Sequence, residues 1–235
     1  MVTSSIKTLD QLEKSICNCK KCPRLVKWTR TVAKEKRKSY ENEDYWGKPV
    51  PGFGEKKPKL LVVGLAPGAH GANRTGRIFT GDRSGEWFFR AMHKAGFANQ
   101  KESINKKDGL KLKNARVIAA VRCAPPDNKP SISERDNCHD WLAIEWNLIE
   151  KDLKVVIALG SFAWKATVDL FKTNDFKAKN NAKFGHGSKI IFYKENKQIT
   201  LIGSYHPSQQ NTFTGRLTES MFDSIFGSAS KLIST

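Results

Sequence analysis

Four short apolar runs constrain the fold of this chain more than any other feature. They are Lys59-Leu60-Leu61-Val62-Val63-Gly64, Arg116-Val117-Ile118-Ala119-Ala120-Val121, Lys154-Val155-Val156-Ile157-Ala158-Leu159 and Ile199-Thr200-Leu201-Ile202-Gly203. None alternates polar with apolar residues, so each reads as a strand covered on both faces, the pattern of a parallel sheet. Helical patterns separate them. Ser84 is placed to cap a helix running to Gly96, with Glu86, Trp87 and Phe88 in its first turn. Ser133 opens a second helix carrying Trp141, Leu142, Leu148 and Ile149, and Ser161, directly after Gly160, caps a third. A last helix starts near Thr218, with Phe222, Ile225, Phe226, Ala229 and Ile233 at helical spacing. Strands alternating with helices require right-handed crossovers and a sheet covered on both faces. Lys189-Ile190-Ile191-Phe192-Tyr193 reads as a hairpin strand beside the fourth run, and residues 100–115 as an exposed loop.

A chain of 235 residues fits one domain, here residues 1–235, in which residues 1–58 form a basic N-terminal segment. Lysine and arginine number 41 against 23 acids, a net charge of +18. Between Lys14 and Lys38 ten basic residues face one acid, Glu35. A chain this basic is expected to meet a polyanion. No apolar run is long enough to span a bilayer, and Met1–Lys7 has no apolar signal core. The expectation is a cytoplasmic protein without a membrane partner.

Five cysteines, at 17, 19, 22, 123 and 138, do not read as a disulfide framework in such a chain. Cys19-Lys20-Lys21-Cys22 is a C-x-x-C pair of the kind that supplies two metal or cluster ligands. Cys123 and Cys138 can complete a set of four thiolates, leaving Cys17 over. A zinc site more often uses two tight pairs, and the wide second pair suits an iron–sulfur cluster at least as well. A redox dithiol with ordinary buried cysteines is the third reading.

In open parallel sheets the ligand sits beyond the carboxyl ends of the strands, and every unusual motif of this chain falls there. Gly64 to Gly76 follows the first run, Cys123 to Asn128 the second, Gly160-Ser161 the third and Ser204-Tyr205-His206-Pro207-Ser208 the fourth. The glycine-rich stretch fits neither a dinucleotide fingerprint nor a phosphate-binding P-loop. Its glycines instead let backbone approach a ligand. Phe79 is a stacking surface or a core plug, Asp82 a functional carboxylate or a helix cap. His206 at a strand end can donate a hydrogen bond to charge developing on a leaving group. His93 and His139 read as structural. The polar run from Gln209 to Arg216 can wedge into nucleic acid or touch phosphates.

Together these blocks resemble the uracil-DNA glycosylase superfamily in its family 5 form. Gly64-Leu65-Ala66-Pro67-Gly68-Ala69-His70-Gly71-Ala72-Asn73-Arg74-Thr75-Gly76-Arg77-Ile78-Phe79-Thr80-Gly81-Asp82 is similar to the first motif. Ala119 to Pro130 is similar to the middle block and His206-Pro207-Ser208 to the last motif, and Cys19-Lys20-Lys21-Cys22-Pro23-Arg24-Leu25 to the cluster-binding start. The resemblance runs from about residue 17 to about residue 217. It implies a three-layer α/β/α sandwich around a four-stranded parallel sheet. It implies a [4Fe-4S] cluster on Cys19, Cys22, Cys123 and Cys138, pinning the N-terminal segment to the domain. The implied reaction removes uracil and other deaminated bases, hypoxanthine among them, from single- or double-stranded damaged DNA, in DNA repair. The target nucleotide is flipped out of the stack. Asp82, Asn128 and His206 are then the catalytic candidates, and Gly64, Ala66 and Phe79 hold the base. His70, Arg74, Ser161, Ser208, Gln210 and Arg216 contact DNA.

Two departures shape that expectation. Ala66 stands where other branches carry an acid or amide, so either the carboxylate comes from elsewhere, with Asp82 the candidate, or the sugar cation is stabilised mainly by DNA phosphates. Ala119 and Ala120 occupy the stretch where other branches read the uracil edge with Asn, which relaxes base discrimination. The enzyme is expected to be a monomer and monofunctional, since no lysine lies in a matching motif for Schiff-base chemistry. Three other readings remain open: a non-catalytic cluster protein that binds nucleic acid, a zinc-containing binding module, and a nucleotide-dependent transferase.

Overall fold

The computed structural model describes residues 6–234. Two helices come first, α1 (Leu9–Cys17) and α2 (Pro23–Glu35). The two-residue β1 (Phe53–Gly54) precedes β2 (Leu60–Gly64), and the one-turn α3 (Ala72–Thr75) lies in the loop leading to α4 (Arg83–Lys94). Then follow β3 (Ala115–Ala119), α5 (Ile132–Ile149), β4 (Val155–Leu159) and α6 (Ser161–Thr173). A hairpin region holds β5 (Lys177–Ala178), β6 (Lys189–Lys194) and β7 (Lys197–Ser204), and α7 (Gln209–Phe213) and α8 (Glu219–Ser234) complete the chain.

The sheet runs in the order β1-β3-β2-β4-β7-β6-β5. Its centre is the expected four-stranded parallel core, with Val62 opposite Val117 and Ile157, and Ile157 opposite Ile202. Antiparallel strands extend it at both ends, β1 on β3 and β6 on β7, so the full sheet has seven strands rather than four. Alternate residues of one strand serve opposite faces. Leu61 and Val63 pack with Ile16, Leu25, Trp146 and Phe171 of α1, α2, α5 and α6, whereas Leu60 and Val62 pack with Phe88, Phe89, Phe222 and Phe226 of α4 and α8. That double duty is why the runs carry no polar alternation. No described helix is long and apolar enough to cross a membrane.

One charge sits where the pattern would place an apolar side chain. Arg116 of β3 is 2% exposed and points toward the α1/α5 layer, donating from Nε to Glu145 at 2.6 Å and from Nη2 to Glu13 at 2.9 Å. Arg122 donates to the other Glu145 oxygen at 2.5 Å. The two guanidiniums hold Glu145 below its ordinary carboxylate range despite burial. Removing one partner of such a set costs roughly 3–5 kcal/mol because a bare charge stays buried.

Helix starts differ from the sequence expectation by one to two residues. Asp82, not Ser84, caps α4; Ser131, not Ser133, caps α5 through a reciprocal capping box with Glu134; and Gly160, with φ 91°, precedes α6, making Ser161 its first residue. Residues 100–115 are only partly an exposed loop. Leu110 and Leu112 are buried, and Asp108 binds Arg77 at 2.5 Å. The N-terminal helices are held by Leu9, Leu12, Ile16 and Leu25 in the core and by an Arg24–Glu134 pair at 2.7 Å, besides any tie through cysteine.

Candidate active site

A cleft of about 790 Å³ opens at the carboxyl ends of the parallel strands. It is lined by Ala66, His70, Phe79, Asp82, Asn128, Ser161, His206, Ser208 and Gln210, which the sequence had singled out from segments far apart in the chain. Gly64, Arg74 and Arg216 are not part of that lining. Gly64 lies behind it: a β-carbon there would stand 3.1 Å from the Phe79 ring, so its absence lets the ring settle on the strand end.

Asp82 does two jobs with two oxygens. Oδ1 accepts the Gly85 backbone N–H at 2.9 Å and caps α4. Oδ2 lies over the glycine loop, so close to Gly71 that a β-carbon there would come within 1.9 Å of it, and within 3.0 Å at Gly68. Those glycines make space for a carboxylate. Burial raises the Asp82 pKa above the ordinary value, against the opposing pull of the Gly85 and Ser84 N–H groups and of Arg74.

His206 follows β7 and lies 5.7 Å, centroid to centroid, from Phe79. Burial pushes its pKa down to about 4, so the imidazole is neutral at physiological pH. Phe79 is buried as a core plug at the edge of the cleft. One ring face stacks on Phe88 at 4.4 Å, and the residue still lines the cleft. Its backbone φ is +51°, and Asp127 and Asn128, also on the cleft, have φ of +53° and +55°. Left-handed backbone at non-glycine residues costs roughly 1–3 kcal/mol each and concentrates at functional sites. Asn128 reaches the rim on a short 3-10 turn after Pro125.

The structure gives Arg74 a task other than the DNA contact expected of it. Its guanidinium donates to the His70 carbonyl at 2.8 Å and the Gly81 carbonyl at 2.8 Å, pairs with Glu43 and lies over the Tyr40 ring. It is a rivet for the glycine loop. Arg216 lies over Tyr205, outside the cleft lining. Ala119 and Ala120 are buried and do not line the cleft either. Five lining residues were not singled out by sequence reading: Arg37 and Tyr40 from the N-terminal segment, Arg83 after the capping aspartate, Lys129 within the middle block, and Phe162. The first two come from more than twenty residues upstream of the loop, and only tertiary packing reveals them.

Comparison with known proteins agrees with this geometry. Residues 51–228 match the sequence pattern described as the uracil DNA glycosylase superfamily. The chain is 47% identical to the type-5 uracil-DNA glycosylase of Mycobacterium tuberculosis, over 94% of this chain and 81% of that protein. It is 46% identical to the type-5 enzyme of Mycobacterium leprae over 99% of both chains. Against that of Thermus thermophilus it is 43% identical, over 91% of this chain and 93% of the other. The chain belongs to the uracil-DNA glycosylase superfamily.

This superfamily member carries a second constellation, on the α1/α5 side of the sheet. Cys19 and Cys22 lie between α1 and α2, Cys123 follows β3, and Cys138 is on α5. Burial raises Cys123, and the nearby Cys138, Cys19 and Cys22 raise it further, so the four thiols are neighbours. Burial pushes Cys138 to about 11. N–H donors aim at the sulfurs: Trp141 Nε1 reaches Cys19 at 3.3 Å, Asn137 Nδ2 reaches Cys22 at 3.6 Å, and the Arg122 backbone N–H bonds to Cys138. Nε and Nη1 of buried Arg122 have no partner of their own. Four neighbouring thiols with N–H donors turned toward sulfur are a donor set suited to a thiolate-bound metal or cluster, although among the described residues no group of three or more His, Cys, Asp or Glu side chains is gathered as a metal site. Cys17 lines one cavity with Cys19 and Cys123 and has Lys106, Glu13 and Lys48 as its charged neighbours.

Proposed function

We propose that this chain excises uracil from DNA, hydrolysing the bond between base and deoxyribose and leaving an abasic site, as a step of DNA repair. The carrying observation is that one cleft brings together Asp82, Asn128, His206 and Phe79 in a chain 43–47% identical to proteins named type-5 uracil-DNA glycosylases. A base inside a duplex is unreachable, so the nucleotide must swing out, and the cleft volume accommodates it with its flanking sugar and phosphate.

In this reading the open side of Phe79 packs on the extruded base while Phe88 braces it from behind. Neutral His206 donates an N–H to the pyrimidine O2, where charge collects as the bond lengthens. Protonated imidazole would do so only below about pH 4, so the donor is imidazole rather than imidazolium. Asp82 Oδ2 faces the developing sugar cation and orients the attacking water, and Asn128 positions that water or the base. Ala66 keeps the base pocket shallow-walled, and Gly64 behind it lets Phe79 settle into place to meet the base. With no amide side chain at Ala119 or Ala120, the pocket also admits other deaminated bases such as hypoxanthine. Ser161, Ser208 and Gln210 lie where backbone phosphates of single- or double-stranded DNA pass. Lys129 is exposed, and a Schiff-base lysine needs a desolvated site, so the enzyme is monofunctional. All of these residues belong to one chain, so a monomer inside the cell suffices. Residues 1–235 form one domain, of which residues 1–58 are tied down in part through cysteine; residues 1–5 and 235 fall outside the described residues.

Cys19, Cys22, Cys123 and Cys138 would hold a [4Fe-4S] cluster, which when bound supplies a cross-link between the N-terminal helices and the sheet. The test is incubation with a duplex carrying one uracil opposite guanine, followed by alkali. Strand scission only after alkali is the expected result, with a hypoxanthine duplex cleaved in parallel. Absence of scission by folded, iron-containing protein would overturn the reading.

A further inference from the structure

The glycine loop holds a titratable side chain to which the proposed reaction gives no chemical part. His70 lines the cleft on the wall formed with Arg37 and Tyr40. Its Nδ1 lies 3.0 Å from the Tyr45 hydroxyl, and the rings meet edge to face at 6.1 Å. The Tyr45 oxygen in turn accepts the Arg37 backbone N–H at 3.4 Å. The phenol has one proton to give, and directing it to His70 Nδ1 leaves the oxygen free to accept from Arg37; the opposite order would turn that proton away from the ring. Burial raises Tyr45 and lowers His70, each toward its neutral form, so neither proton leaves this chain of bonds near neutral pH. With Nδ1 accepting, the single imidazole proton is on Nε2. The Arg74 guanidinium, bound to the His70 carbonyl at 2.8 Å, fixes the backbone beneath the ring.

We infer that His70, set by Tyr45 as an uncharged Nε2–H donor, and the Arg37 guanidinium together grip a phosphate of the DNA strand entering the cleft. The inference rests on the reading of this cleft as a DNA site and adds the mode of contact and a positioning residue. Arg37 suits the partnership because, among the described residues, no ion pair engages its side chain, whereas the guanidinium of Arg74 is spent inside the protein. One wall of the cleft thus presents a full positive charge beside a directional neutral donor. Such a pair holds an anion in one place without the geometric slack of two long cationic side chains.

A charged and a neutral phosphate contact differ in a measurable way. Each phosphate neutralised by a cation steepens the dependence of log affinity on log salt by about 0.9, whereas a neutral hydrogen bond releases no counterion. The experiment is fluorescence anisotropy of the intact protein on a short duplex with a tetrahydrofuran abasic analogue, across a series of potassium chloride concentrations. His70→Ala is expected to weaken binding roughly tenfold, the worth of a hydrogen bond to a charged group, with the slope unchanged. Arg37→Ala is expected to weaken binding and flatten the slope by about 0.9. His70→Gln, whose amide reaches the Nε2 position, restores most of the loss; His70→Asn, which reaches only Nδ1, does not. Tyr45→Phe weakens binding severalfold with an unaltered melting temperature, because the imidazole is then free to carry its proton on Nδ1. Unchanged affinity for His70→Ala, or a flattened slope for it, overturns the inference. Failure of the wild-type protein to bind the duplex at all would instead strike the proposed function on which it stands.

Discussion

The cleft and the cysteine constellation lie in one domain and are built by opposite means. The cleft is made of loop ends at the carboxyl edge of the sheet, with three non-glycine residues in left-handed backbone and a carboxylate and an imidazole both driven toward neutrality by burial. The cysteine side hangs on helices in regular geometry, with capping boxes on α1 and α5 and N–H donors turned toward sulfur. One region spends conformational stability on chemistry, and the other gives stability to a segment of the chain. Substitutions should therefore separate activity from stability in the cleft and move stability on the cysteine side.

The largest effect is expected at Asp82. Asp82→Asn keeps an oxygen for the Gly85 N–H but removes the charge, so turnover should fall by about 10²–10⁴-fold with the melting temperature held. Asp82→Ala should show the same loss and in addition about 1 kcal/mol of destabilisation, read by urea unfolding. Equal stability losses in the two variants would break the distinction. Cys138→Ala should do the reverse. Iron content should fall, and amide exchange across residues 18–35 should speed up while strands β2, β3 and β4 stay protected, because the apolar face of α1 still anchors the segment's start.

Acid separates the regions further. Asp108, held at about 2 by Arg77 and backbone N–H groups against the opposing effect of burial, has a depressed folded-state pKa. Its contribution, about 2 kcal/mol, is complete above the unfolded value near 3.8 and is lost as pH falls through 2. Asp108→Asn should be less stable at neutral pH and lose less between pH 4 and 2. His206, also depressed, is neutral when folded and charged when unfolded between about pH 4 and 6.5, so it too favours the native state above that window and loses that contribution as pH falls through it. Turnover should keep its imidazole-dependent component down to pH 5, with the acid limb near 4. A limb at 6.5 would place His206 in water. The smallest effect is at Asp127, whose +53° φ costs a residue with a β-carbon. Asp127→Gly should stabilise the fold by up to about 1 kcal/mol in urea melts.

The sheet was legible because each central strand, such as Leu60 to Gly64, sits between two helical layers and so shows no polar residue. Helix starts were less so. At α4 and α5 a serine lay within two residues of the true cap, and spacing alone does not choose between them, although Ser131 with Glu134 spelled the reciprocal box. Arg116 and Arg122 are both buried on Glu145, a pairing across 29 and 23 residues that local pattern cannot express. In the cleft, the motifs named the residues on the loops. The wall made by Arg37 and Tyr40, with Tyr45 bonded to His70, went unseen because it comes from a basic segment whose lysines all look alike until the helices dock. The inward turn of Arg74 onto the His70 and Gly81 carbonyls was unseen for the related reason that a motif does not say which way an arginine turns.

The double task of Asp82 has a consequence in the gene. Codons for aspartate become codons for asparagine by one change of G to A, the change left when the cytosine paired with that G is deaminated and copied unrepaired. The encoded protein would keep its α4 cap and its fold while losing the carboxylate. Deamination of a single letter thus yields a stable, silent copy of a protein proposed to erase that same damage, and nothing in the cell's folding surveillance would remove it.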